Sequence, residues 1–232
     1  MSTAISREGV KTATLVEGQR LDQPTFHARY EASPPGTRAE LIGEVVWMPS
    51  PLGNDHSGCS VDVLFWLTLY ARRTPGVEPL NNATVILDQR NEPQPDAGLR
   101  ILPEFGGRSR NERRYIGGAP ELLVEVARAS RSLDLGPKLD EYGRAGVLEY
   151  IVWALEPDEL YWFVRDADRL AERDPDPDGL HRSQVFPGLW LDPLALLRKD
   201  HDAVRAALDR GLASPEHAAF VAALEARKTR GG

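Results

Sequence analysis

Cysteine is nearly missing from this chain: its 232 residues include one, Cys59, which excludes an internal disulfide framework and any zinc site built from paired cysteines. Positive charge is not in surplus either. Lysine and arginine number 28 against 35 acidic residues, a net charge of -7. No global positive field therefore draws the chain to nucleic acid or to anionic lipid, and a polyanion has to be met locally. No run approaches the roughly eighteen apolar residues of a membrane span. Arg7, Glu8, Lys11 and Glu17 break up the first twenty residues where a signal peptide would carry its apolar stretch. Repeats, a Gly-rich phosphate loop, a Ser/His/Asp arrangement and zinc-ligand spacing are all lacking. These absences suit a cytoplasmic protein without a membrane partner.

What remains is ordinary globular material, 41% hydrophobic and 27% charged. The reading is a poorly ordered segment over 1–23, one α/β domain over 24–198 and a helical C-terminal tail over 199–232. Residues 44–48 predict a strand that stops at Pro49. A helix is expected over 56–73, its apolar face made by Val61, Leu64, Phe65, Thr68 and Leu69. Strands are expected over 84–87, 97–102 and 122–126, then a short helix over 137–145 that has an alternative start at Leu133. Residues 150–155 and 160–165 read as a hairpin, 185–191 as a further strand or edge, and 193–228 as helix divided by Pro215. The order implies a mixed β-sheet flanked by helices.

Three acids stand beside or inside apolar strands: Glu40, Asp96 and Glu125. Glu125 interrupts Leu122-Leu123-Val124-Glu125-Val126, and burying an unpaired carboxylate costs several kcal/mol, so it needs a metal or a partner such as an arginine in a structural ion pair. Asp96 opens the preceding strand after Pro93 and Pro95, where it either caps its own turn or offers oxygen to a cation. Two carboxylates on neighbouring strand ends suit magnesium, which prefers oxygen ligands. Arg108, Arg110, Arg113 and Arg114 crowd a Gly-rich stretch that is either a phosphate grip or a solvated loop. The tryptophans Trp47, Trp66, Trp153, Trp162 and Trp190 read as core or interface anchors, and Cys59 as a packed helix residue.

Pro95-Asp96, the 120–126 segment Pro-Glu-Leu-Leu-Val-Glu-Val, Asp134 with Lys138 and Tyr142, Gly146-Val147-Leu148-Glu149-Tyr150 and Phe186-Pro187-Gly188-Leu189-Trp190 occur in an order that resembles the Uma-type restriction endonuclease family of the PD-(D/E)XK nuclease superfamily. The resemblance runs from Glu40 to Trp190. It implies a restriction-endonuclease-like mixed sheet and a magnesium-dependent endonuclease acting on DNA, with manganese as a substitute metal. Asp96 and Glu125 match the two metal-binding carboxylates. The lysine usual two residues after the glutamate is replaced by Ala127, and Lys138 is the substitute, a surface lysine being the plain alternative. Glu40 is similar to the family's first acidic residue, with Glu44 as a competitor, and it would add a ligand through water or orient Lys138. His56 also resembles a family position, or else it caps or packs the long helix. Two other readings are open: a non-catalytic nuclease-fold module that binds nucleic acid or a protein, and a homodimer joined through Ala203, Ala207, Leu208, Phe220 and Leu224.

Overall fold

The chain begins with a segment that has no apolar period of its own. The computed structural model describes residues 14–49 and 54–230. Leu15 is buried, Gly18 N–H donates to Val46 O at 2.8 Å, and Arg20 bridges to Val45. From residue 14 onward the segment expected to be poorly ordered is thus laid against a hairpin, and residues 1–13 lie outside the described residues. Helix α1 (Gln23–Glu31) starts where Asp22 accepts a hydrogen bond from Thr25 N–H and Pro24 occupies the first turn, where no N–H is needed.

Strands β1 (Glu40–Ile42) and β2 (Val45–Trp47) form that hairpin through Gly43 and Glu44, both at positive φ (58° and 68°). Such a two-residue turn matches the twist of its strands. The sequence suggests one strand over 44–48, because Gly-Glu stands where Asn-Gly usually marks the turn. Helix α2 (Asn54–Arg72) buries Cys59, Val63, Trp66, Leu67 and Tyr70, whereas Val61 and Phe65 of the expected face are 61% and 50% exposed. From Val63 to Ala71 the helix is apolar all round but for Thr68, and the side carrying Trp66 and Tyr70 removes more area from water.

Strand β3 (Val77–Asn81) contains Pro79 and is tolerated because it is the edge of the main sheet. Next come β4 (Val85–Ile86), β5 (Ala97–Ile101), a 3-10 turn (Pro103–Phe105), β6 (Arg110–Glu112), β7 (Tyr115–Gly117) and β8 (Leu122–Ala127). The short strands form a separate sheet in the order β4-β7-β6. Helices α3 (Arg131–Leu133) and α4 (Leu139–Ala145) are joined end to end by a π-helical turn, Asp134–Lys138. Strands β9 (Glu149–Leu155), β10 (Asp158–Asp166) and β11 (Arg169–Glu172) complete the main sheet, ordered β11-β10-β9-β8-β5-β3, in which only β8 and β9 are parallel. A ribbon of β12 (His181–Arg182) and β13 (Trp190–Leu191) leads into α5 (Pro193–Leu197), α6 (His201–Leu212) and α7 (Pro215–Arg230).

Period-two alternation divides the core. Leu122, Val124, Val126, Ile151 and Trp153 pack with α2 and the C-terminal helices, while Leu123, Ala127, Tyr150 and Val152 pack with Tyr142 of α4. Val204 and Leu208 of α6 and Leu224 of α7 belong to the first of these clusters. The expected tail is therefore part of the same core. Ala207, Leu208 and Leu224, expected to face a second copy, are buried within the chain. Among the described residues no helix is long and apolar enough to cross a membrane.

Candidate active site

Strands β5 and β8 pair antiparallel with Ala97 opposite Val124, so the next positions outward are Asp96 and Glu125. Alternation turns both toward the α4 face of the sheet. Gly98 permits the close approach of the strands, since a Cβ there would lie 2.7 Å from Leu122 O. Backbone amides fix the pair: Val126 N–H donates to Asp96 Oδ2 at 2.8 Å, and Asp96 N–H reaches Glu125 Oε2 at 3.4 Å.

Lys138 arrives from the helical side. Pro137 has no N–H to continue the α-helical ladder, and the wider π turn around it brings Asp134 and Lys138 together. Lys138 Nζ lies 2.9 Å from Glu125 Oε1, 2.9 Å from Glu40 Oε2 and 3.5 Å from Asp134 Oδ1. Tyr142 O–H donates to the same Glu125 Oε1 at 3.0 Å. Glu40, on β1, accepts Gln94 N–H at 2.6 Å through its other oxygen, which ties the hairpin to the proline-bounded approach to Asp96. His56, in the first turn of α2, holds Nε2 3.3 Å from Asp96 Oδ2.

Acid outnumbers base in this pocket, and burial sharpens the imbalance. Burial pushes the Glu125 carboxyl well above its usual range, with Lys138 opposing, and it raises Asp134 likewise. Burial also pulls on the Lys138 ammonium, but Glu125, Glu40 and Asp134 outweigh it and leave the group well above its ordinary value. His56 is raised by its hydrogen bond to Asp96 against the opposing effect of burial. Burial and the neighbouring carboxylates hold Tyr142 in its protonated, donating form.

These groups open onto a cavity of about 320 Å3 whose wall also includes Arg38, Trp47, Met48, Gln94 and Arg128. Among the described residues no three His, Cys, Asp or Glu side chains are preassembled as a metal-binding group. Magnesium asks for less, typically one or two carboxylates with water filling the remaining positions. Asp96 Oδ1 accepts no hydrogen bond from the described residues, and Glu125 Oε2 accepts only the long one from Asp96 N–H. Two hard oxygen donors beside a buried excess of negative charge fit such a cation.

The structure thus brings Glu40, Asp96, Glu125 and Lys138 together, with His56 and Tyr142 in contact. Glu44 is left out, in the hairpin turn 4.0 Å from Arg90. The arginine-rich stretch is left out as well, because it folds into the β6–β7 hairpin. There Arg108 donates to Gly146 O, Arg110 pairs with Glu112, and Arg114 contacts Tyr115 and Glu31. Ala127 is fully buried in the core against α4, so a lysine from the helix occupies the space beside Glu125. Sequence reasoning did not place Arg38, Trp47 or Met48 in the site, because only the hairpin brings them to it.

Over residues 24–195 the chain matches the Uma2 family, described as "Putative restriction endonuclease". It is also similar to a solved structure described as a putative nuclease belonging to DUF820, from Anabaena variabilis ATCC 29413, with a TM-score of 0.57 and 15% identity. That likeness covers 73% of this chain and 97% of the other, and at such identity it speaks for the fold. No curated protein matches the chain.

Proposed function

The chain belongs to the Uma2 family, whose description is "Putative restriction endonuclease", and on that premise we propose that it is a magnesium-dependent endonuclease hydrolysing DNA phosphodiester bonds. One observation carries the reading: Asp96 and Glu125, side by side on paired strands, open onto one cavity with Lys138 Nζ 2.9 Å from Glu125. Asp96 and Glu125 would hold the metal through the oxygens that protein hydrogen bonds leave available. Magnesium bound there supplies neutralisation of charge developing on the phosphate and a lowered pKa for the attacking water, and manganese would substitute. Lys138, enclosed by three carboxylates, acts as a fixed positive charge beside the reacting phosphate. Glu40 and Tyr142 are positioning residues, the first holding Lys138 and the second holding Glu125 Oε1. His56 holds Asp96. The reading includes a cytoplasmic homodimer, since two-fold symmetry suits cutting both strands.

Calorimetric titration of magnesium and manganese into wild type and Asp96→Ala, paired with cleavage of supercoiled plasmid in the same buffers, tests the assignment. Binding and cleavage are expected in wild type, and both are lost in the variant. Metal-dependent cleavage by a clean Asp96→Ala/Glu125→Ala double variant would sink it. The alternative, a non-catalytic nuclease-fold module that binds nucleic acid or a protein, is favoured by one specific observation. Lys138 already fills the acidic pocket as a cation would, and Ala127 stands where the resemblance leads one to expect lysine. On that reading metal affinity is absent from both proteins.

A further inference from the structure

The cavity is built for something narrower than a duplex. At about 320 Å3 it sits at the small end of ligand pockets and has room for one nucleotide. Its acidic floor is recessed: Glu125 is 4% and Lys138 3% exposed. A phosphodiester reaches these groups only if its strand leaves the helical stack and enters the pocket.

The walls carry chemistry that an unpaired nucleotide would use. On one side Trp47, Met48 and Pro49 leave the β1–β2 hairpin as an apolar edge, and Met48 is 41% exposed although it is a large hydrophobic residue. At the rim Arg38 donates to the neutral Asn82 Oδ1 at 3.1 Å and makes no ion pair among the described residues. It is a cation without a carboxylate partner in a cavity otherwise rich in carboxylates. An aromatic face with an available guanidinium is the combination that binds single strands, through base stacking and phosphate charge. Enzymes that act inside a pocket on duplex substrates extrude the target nucleotide to reach it.

We propose that the cavity takes one unpaired nucleotide of a single-stranded DNA, its base against Trp47 and Met48 and its phosphate against Arg38. The inference rests on the nuclease reading and deepens it by specifying the substrate's form. The test is fluorescence anisotropy with a labelled 20-mer single strand and with the same strand in a perfect duplex, alongside magnesium-dependent cleavage of both. Wild type is expected to bind and cut the single strand at least about tenfold better. Trp47→Ala should lose about 5- to 100-fold on the single strand, with Trp47→Phe recovering most of it and the duplex unaffected. Met48→Ala, at an exposed position that the fold does not need, should show a smaller loss of the same selectivity, and it carries the test if Trp47→Ala fails to fold. Equal handling of both DNAs by wild type, or equal loss on both in the variants, overturns the unpaired-nucleotide proposal and leaves the nuclease reading standing. If folded wild type neither binds nor cuts either DNA, the nuclease reading fails and this proposal falls with it.

Discussion

Remove the ammonium of Lys138 and Glu40, Glu125 and Asp134 face one another with no cation between them. Breaking a buried ion pair by deleting one partner costs about 3–5 kcal/mol, because the charge left behind is desolvated and unpaired. Lys138→Met should therefore lose stability of that order in urea denaturation near pH 8. Glu125→Gln keeps the shape and leaves Glu40 and Asp134 as counter-charges, so it should cost much less while still abolishing cleavage. Equal losses in the two variants would mean that Lys138 is only a packing stem. Glu125 was legible in the sequence because a charge inside Leu122–Val126 has no cheap explanation. Asp134 gives no such signal by itself, since an acid near a helix start is normally solvated. Its burial depends on the π turn, which no local pattern announced.

The head of β9 carries a second buried carboxylate, Glu149, which accepts hydrogen bonds from Ser183 O–H and Gln184 N–H and so pins the loop between β12 and β13. Burial, against those hydrogen bonds, pushes Glu149 up to about 7 from an ordinary 4.5. The folded chain then keeps a proton that the unfolded chain has released. This stabilisation is full below about pH 4.5 and is lost as pH rises to about 7, on the order of 3 kcal/mol in all. His181 in β12 stacks on Trp162 at 5.0 Å, and burial followed by the nearby Arg173 brings it down to about 4 from 6.5. Its contribution has the opposite sign: full above about pH 6.5 and lost as pH falls toward 4. Relative to wild type, melting temperatures between pH 4.5 and 8 should therefore fall on the acid side in Glu149→Gln and toward neutrality in His181→Phe, which keeps the stack. Parallel curves for all three proteins would refute both assignments. Elements with a clean period, such as α2 and the β9–β10 hairpin, were legible in the sequence. The side of α2 that faces the core was not, because its second half, Val63 to Ala71, is apolar all round but for Thr68 and lets its largest residues choose. The strand β3 was hidden by Pro79, which only an edge position excuses.

At the scale of the whole molecule the family match ends at residue 195, yet the core continues through Val204, Leu208 and Leu224. Truncation after Lys199 is expected to expose Leu196 and neighbouring core surface and give an aggregating or molten chain by circular dichroism and light scattering. A folded product with an altered mass would instead restore the view of these helices as a dimerising arm. Charge decides a last property of the whole chain. A net charge of -7 leaves DNA binding to local cations, and at the cavity mouth Arg38 makes no ion pair among the described residues, whereas Arg128 pairs with Glu156 at 2.6 Å. The arginines Arg110 and Arg114 already face Glu112 and Glu31. Each phosphate neutralised on a single strand contributes about -0.7 to the slope of log affinity against log salt. About one contact gives a slope near -0.7, or about a threefold loss of affinity between 50 and 200 mM salt. Anisotropy titrations of a labelled single strand over that range measure the slope directly. A slope near -0.7 fits recognition confined to one pocket, whereas -5 or steeper would require a basic track across the surface and would move the binding site away from the cavity.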